Sequence, residues 1–84
     1  IESKVEKNVN QMLIYPNPAT SGSVLNWESE EDYTQVLIVD LSGKEVFKIS
    51  VSSKDLTLPN LNSGYYFIQF INNEQQEIIP LVIR

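Results

Sequence analysis

The stretch "LNSGYYFIQFI", residues 61–71, decides the fold. From Gly64 to Ile71 nearly every side chain is aromatic or β-branched, which suits a pleated, half-buried strand. Gln69 is the one clearly polar residue there. Side chains of a strand alternate between faces, so Tyr65, Phe67, Gln69 and Ile71 should share the outer face. Tyr66, Ile68 and Phe70 should then point inward. Leu61, Gly64 and Tyr66 have the L-x-x-G-x-Y spacing of a tyrosine corner. In such a corner the tyrosine hydroxyl bonds to backbone a few residues upstream and pins a sandwich crossover. Gly64 permits the tight start of the strand.

Working outward, six more strand signals appear. They are "MLIY" (Met12–Tyr15), "SVLNW" (Ser23–Trp27), "QVLIVD" (Gln35–Asp40), "EVFKISV" (Glu45–Val51), "DLTL" (Asp55–Leu58) and "EIIPLVIR" (Glu77–Arg84). In the second, Val24 and Asn26 alternate against Leu25 and Trp27. The third is a β-branched apolar run suited to a strand covered on both faces. No segment holds a period of 3.6. The pattern predicts an all-β, immunoglobulin-like antiparallel β-sandwich of about seven short strands, with no helix.

The connections add detail. In "DLSGKEV", Asp40 can bond its own turn and Gly43 can supply positive φ, giving a hairpin with a G1 bulge. In "INNEQQE", Asn72 and Asn73 tolerate the left-handed region, so a hairpin joins the last two strands. Pro80 cannot donate to a ladder, so its strand belongs at an edge or carries a bulge. If Leu37, Val39, Tyr65 and Phe67 all face outward, they make an apolar docking patch, unless a loop or the linker covers them.

Composition narrows the function. The 84 residues fit one small domain with a thin core, and the chain contains neither cysteine nor histidine. That removes disulfides, thiolate and imidazole metal ligands, and the Ser-His-Asp and Cys-His machineries. Net charge is −5 and the six Lys and Arg do not cluster, which argues against nucleic acid and against an anionic membrane surface. No apolar run reaches the roughly 20 residues of a membrane-spanning helix. Residues 1–11, "IESKVEKNVNQ", are polar with no strong period and read as a linker, or the frayed end of one; 12–84 reads as the folded unit. The absence of an initial Met reads as a piece of something longer.

Other clusters have plain readings. Glu28, Glu30, Glu31 and Asp32 could offer oxygen ligands to Ca²⁺, but they match no EF-hand spacing and read as a solvated loop. Trp27, Tyr33 and Tyr65 could form a platform for sugar or peptide; in so thin a domain they read as packing. No catalytic constellation, metal site or cofactor is expected. In "YPNPA", Pro16 and Pro18 end the first strand, and Asn17 should cap that turn with its side chain.

Four features occur in order: "YPNPA" (Tyr15–Ala19), "VDLSGKEV" (Val39–Val46), "LNSGYYFIQF" (Leu61–Phe70) and a closing "LVIR" (Leu81–Arg84). Together, over about residues 12–84, they resemble the type A C-terminal sorting domain of the type IX secretion system of Gram-negative bacteria. The resemblance implies a non-enzymatic address on a cargo protein. Its partners would be the outer-membrane translocon and a sortase-like peptidase that removes the domain, with a cut expected upstream of Met12. It implies passage through the periplasm, then the cell surface or secretion. It assigns recognition to Leu81, Val82, Ile83, Arg84, Gly43 and Lys44, and a mainly structural motif to Tyr15, Pro16, Asn17, Pro18, Asp40, Leu61, Gly64 and Tyr66. Capture of Leu81–Arg84 by strand addition, with a contact to Arg84, fits an address on an edge. Two departures stand out: Pro80 occupies a position where the family carries lysine, and Leu37 and Val39 stand where a polar residue is common. The alternative reading is a fibronectin-like or immunoglobulin-like accessory or adhesion module of an extracellular protein.

Overall fold

The computed structural model describes residues 12–84, so the linker expected over 1–11 lies outside the described residues. Seven strands follow one another: β1 Leu13–Tyr15, β2 Val24–Glu28, β3 Gln35–Asp40, β4 Glu45–Ser50, β5 Asp55–Thr57, β6 Gly64–Ile71 and β7 Gln76–Ile83. They form a three-stranded sheet, β1-β2-β5, and a four-stranded sheet, β4-β3-β6-β7, with every pairing between strands antiparallel. There is no helix among the described residues. This is the expected immunoglobulin-like sandwich.

The core lies between the sheets. Ile14, Leu25, Trp27 and Leu56 face it from the smaller sheet, and Val36, Ile38, Ile68, Phe70, Leu81 and Ile83 from the larger. Phe70 sits centrally, with its ring centroid 4.9 Å from Trp27 and 5.8 Å from Tyr33 in tilted arrangements. Such pairs add to the area term of aromatic burial. Trp27 and Tyr33 are therefore core, whereas Tyr65 stands out of it, 67% exposed.

Two expectations need correction, and the edge placement expected from Pro80 is met. The β3 run is central but covered on its inner face only; flanking strands half-shield Leu37 and Val39 on the other side. Laterally neighbouring side chains do here what a second covering layer was expected to do. The β6–β7 hairpin forms without any left-handed asparagine, since no non-glycine residue has positive φ. Instead Asn72 Oδ1 accepts the N–H groups of Glu74 and Gln75 at 2.8 and 2.9 Å. An Asx-type side-chain acceptor closes the turn without the steric cost of that backbone region. Finally, β7 pairs with β6 in unbroken register through Pro80, which lies opposite Phe67. β7 is an edge strand, and the next residues along it explain why no bulge is needed. Val82 sends its N–H and C=O away from β6, to residues 17 and 19. Outward-facing backbone recurs every second residue, so the nitrogen of Pro80 also faces outward, where no ladder requires its hydrogen.

Candidate functional site

The topology sends the chain's motifs to one end of the sandwich. β3 ends at Asp40, opposite Tyr66 at the start of β6, and Tyr66 lies opposite Leu81 near the end of β7. The β3–β4 turn, the β5–β6 crossover, residues 16–23 and Arg84 therefore share an end. The opposite end holds Met12, the acidic β2–β3 connection, Val51–Lys54 and the β6–β7 turn; Asn72 Nδ2 there donates to the Asp32 carbonyl at 3.0 Å. An eight-residue strand such as β6 separates the two ends by roughly 24 Å.

At the Arg84 end the first element is the Asp40–Lys44 turn. Gly43 has φ +89°, donates its N–H to the Asp40 carbonyl at 2.9 Å, and Asp40 donates its own to the Lys44 carbonyl at 2.9 Å. This is a type I turn followed by the expected G1 bulge. Asp40 Oδ1 accepts from Ser42 Oγ at 2.7 Å, Ser42 N–H at 2.9 Å and Lys44 N–H at 3.0 Å. The Ser42 hydroxyl, foremost, and the Lys44 N–H favour the carboxylate and hold Asp40 below the ordinary aspartate range. The Lys44 side chain stands at the exposed tip.

The second element is the crossover. The Tyr66 hydroxyl donates to the Asn62 carbonyl at 2.6 Å, forming the tyrosine corner, and Gly64 enters β6 at φ +152°. Ser21 ties the same loop to the β1–β2 connection: its Oγ accepts the Leu61 N–H at 2.7 Å and contacts the Pro59 carbonyl and Asn60 Oδ1. Sequence reasoning passed over Ser21, because a serine within the Thr20–Ser23 turn carries no spacing signal.

The third element overturns the reading of Asn17. It does not cap its own turn. Its Nδ2 donates to the Pro80 carbonyl at 3.1 Å, and its Oδ1 accepts the Val82 N–H at 3.0 Å. Ala19 continues the contact, donating its N–H to Val82 at 2.8 Å and accepting from Arg84 at 2.9 Å, in a parallel bridge with Ile83. An unpaired strand edge is the stronger competitor for a carboxamide than a proline-rich turn, which has few donors to offer. Ala19 is 1% exposed, so the small residue after Pro18 is the one that fits beneath. Both X–Pro bonds in the stretch, Tyr15–Pro16 and Asn17–Pro18, are cis. Tyr15 itself points elsewhere, its hydroxyl 3.5 Å from Glu28.

The sites named from sequence thus divide. Gly43, Lys44, Leu81–Arg84, Pro16–Pro18, Asp40, Leu61, Gly64 and Tyr66 come together at the Arg84 end. Within the closing strand Leu81 and Ile83 are buried core, Val82 is half-buried, and only Arg84 is exposed. Leu37, Val39, Tyr65 and Phe67 lie on the outer face of the larger sheet, where Val39 is opposite Phe67, Phe67 opposite Pro80, and Tyr65 opposite Val82. The apolar surface extends through exposed Ile78 on β7.

The Met12 end offers little chemistry. A groove of about 380 Å³ is lined by Asp32, Tyr33, Thr34, Val51, Ser52, Ser53 and Lys54. Lys54 Nζ donates to the Ser29 carbonyl at 2.7 Å and lies 3.8 Å from Asp32. No three acidic side chains among the described residues converge as cation ligands.

Fold and site together define a small immunoglobulin-like module whose sequence motifs are gathered mainly at one end. The model of one family, described as the secretion system C-terminal sorting domain, matches residues 13–84. The chain belongs to this family of type IX sorting signals. Membership implies attachment to a cargo, interaction with the type IX machinery, and export to the cell surface or secretion. It points to a non-enzymatic role. No curated protein matches the chain.

Proposed function

We propose that this domain is an address read at its Arg84 end by the outer-membrane translocon, while the cargo hangs from the other end. One observation supports the reading above the rest: Gly43-Lys44 and Leu81–Arg84, far apart in sequence, share the end opposite Met12, roughly 24 Å from it. A cargo attached ahead of β1 leaves that end unobstructed. Arg84 and Lys44 put positive charge there, in a chain of net charge −5. An Arg guanidinium binds carboxylates in a bidentate fork, so the receptor surface is acidic. A sortase-like peptidase then cuts upstream of Met12, away from the proline stretch, and releases the cargo.

The test is a reporter fusion carrying a signal peptide ahead of residues 1–84, in a type IX-competent host and in a translocon mutant. Export in the first and periplasmic retention in the second are expected. Retention in both would sink the reading. Deleting Val82–Arg84 also removes Ile83 from the core, so Arg84→Ala, which leaves the core intact, is the cleaner variant. It should reduce export while thermal melting stays unchanged.

A further inference from the structure

We propose that Asn17–Ala19 form a displaceable strap over the outer edge of β7, and that an extended strand of the secretion machinery takes their place when the address is read. The inference rests on the sorting reading and adds a gate to it.

The outer edge of β7 is not open to strand addition as it stands. Asn17 and Ala19 occupy the Pro80 carbonyl, both backbone groups of Val82 and the Arg84 N–H. The Asn17 carboxamide imitates a peptide unit: one donor and one acceptor, set where the backbone of a neighbouring strand would lie. Yet the strap is a poor strand. Pro18 brings no N–H, and a single bridge, Ala19 with Ile83, follows. By the same alternation that turns Val82 outward, the backbone of Ile78 faces the edge, beyond the reach of the strap. A true strand would satisfy the groups the strap satisfies and those of Ile78 as well.

The strap is also lightly held. Pro16, Asn17 and Pro18 are exposed, and Ala19 is the one strap residue whose side chain is buried. Segments with few buried apolar contacts open at low free energy, well below global unfolding. The ligand chemistry follows: an extended peptide edge with alternating N–H and C=O, reaching from Arg84 to Ile78. While closed, the strap keeps a hydrophobic edge from pairing indiscriminately.

The test compares wild type with Asn17→Ala in the full chain. Amide hydrogen exchange is read residue by residue. The variant should exchange the Val82 amide about tenfold faster, while Ile68 and Phe70 keep their protection. In the reporter fusion its export should quicken by up to the same factor, since the open fraction sets the apparent affinity. Should Asn17→Ala unfold the domain, Asn17→Asp keeps the acceptor for Val82 and loses the donor to Pro80; its exchange rate should fall between the two. Unchanged exchange at Val82 overturns the strap. Faster exchange with unchanged or abolished export overturns the gate alone. A wild-type fusion that never leaves the periplasm overturns the sorting reading and the gate with it, while the exchange result still reports on the strap.

Discussion

The two outer strands of the four-stranded sheet meet one problem in different ways. Each has a row of backbone groups with no strand beyond it, an invitation to pair with another chain. β4 blunts its edge locally. Ile38 pairs with Phe47 and Val39 with Glu45, so Val46 is an extra residue that breaks the regular row. Glu45 and Lys48 add charge, and five of the six residues are exposed. β7 instead buries Leu81 and Ile83 in the core and borrows residues 17–19 from the other sheet's connection to cover its edge. β4 can manage alone because it contributes little to the core. β7 cannot be bulged near Arg84 without pulling core side chains out of register, since a shift of one residue reverses the faces of a strand.

Four changes would break or sharpen this contrast, in falling order of effect. Leu81→Ala should destabilise by about 2–5 kcal/mol, because Leu81 is fully buried and leaves a cavity. Ile49→Ala on β4 should cost about 1 kcal/mol, since Ile49 is 38% exposed and has less apolar area to lose. Denaturant melts measure both, and equal losses would refute the division of labour between the edges. Tyr66→Phe removes the bond to Asn62, next to Leu81 in register, and should cost about 1 kcal/mol in the same assay. It should leave the β3–β4 hairpin amides unaffected.

The fourth change is acid, and it should reach the β4 edge through its turn. Asp40 has its folded pKa depressed, so its contribution is fully present above the unfolded value of about 3.9. That contribution disappears as pH falls through the lower folded value. Ser42 and Lys44 amide shifts should follow this titration by NMR, while those of Val82 and Arg84 should not. A Val82 amide that titrates with Asp40 would mean the two edges are coupled.

Much of the fold was legible because its signals are local. Alternation along Gly64–Ile71 assigned both faces of β6, and the position of Gly43 three residues after Asp40 specified a G1 turn. The spacing of Leu61, Gly64 and Tyr66 foretold a bond of four residues' reach. The edge position of β7 could be read from Pro80 because a missing N–H is a property of the residue itself. Less of the site was legible. Asn17 looked like a turn cap because asparagine most often bonds nearby backbone. Its true partners, Pro80 and Val82, lie 63 and 65 residues away. Ser21 has partners about 40 residues off and left no pattern.

By itself, then, the sequence determined the strands, their inward faces, the Asp40 turn, the tyrosine corner and the family. Each depends on periodicity, on backbone limits of glycine and proline, or on motif order, and all are written within a few neighbouring residues. Only the tertiary structure decided which end gathers the motifs, which edge stays bare and what covers β7. A carboxamide can satisfy any backbone donor and acceptor at the right spacing, so its choice depends on which of them folding leaves unpaired. Once β6 had taken one side of β7, the unpaired groups were those of Pro80, Val82 and Arg84, and "PNPA" supplied the partners.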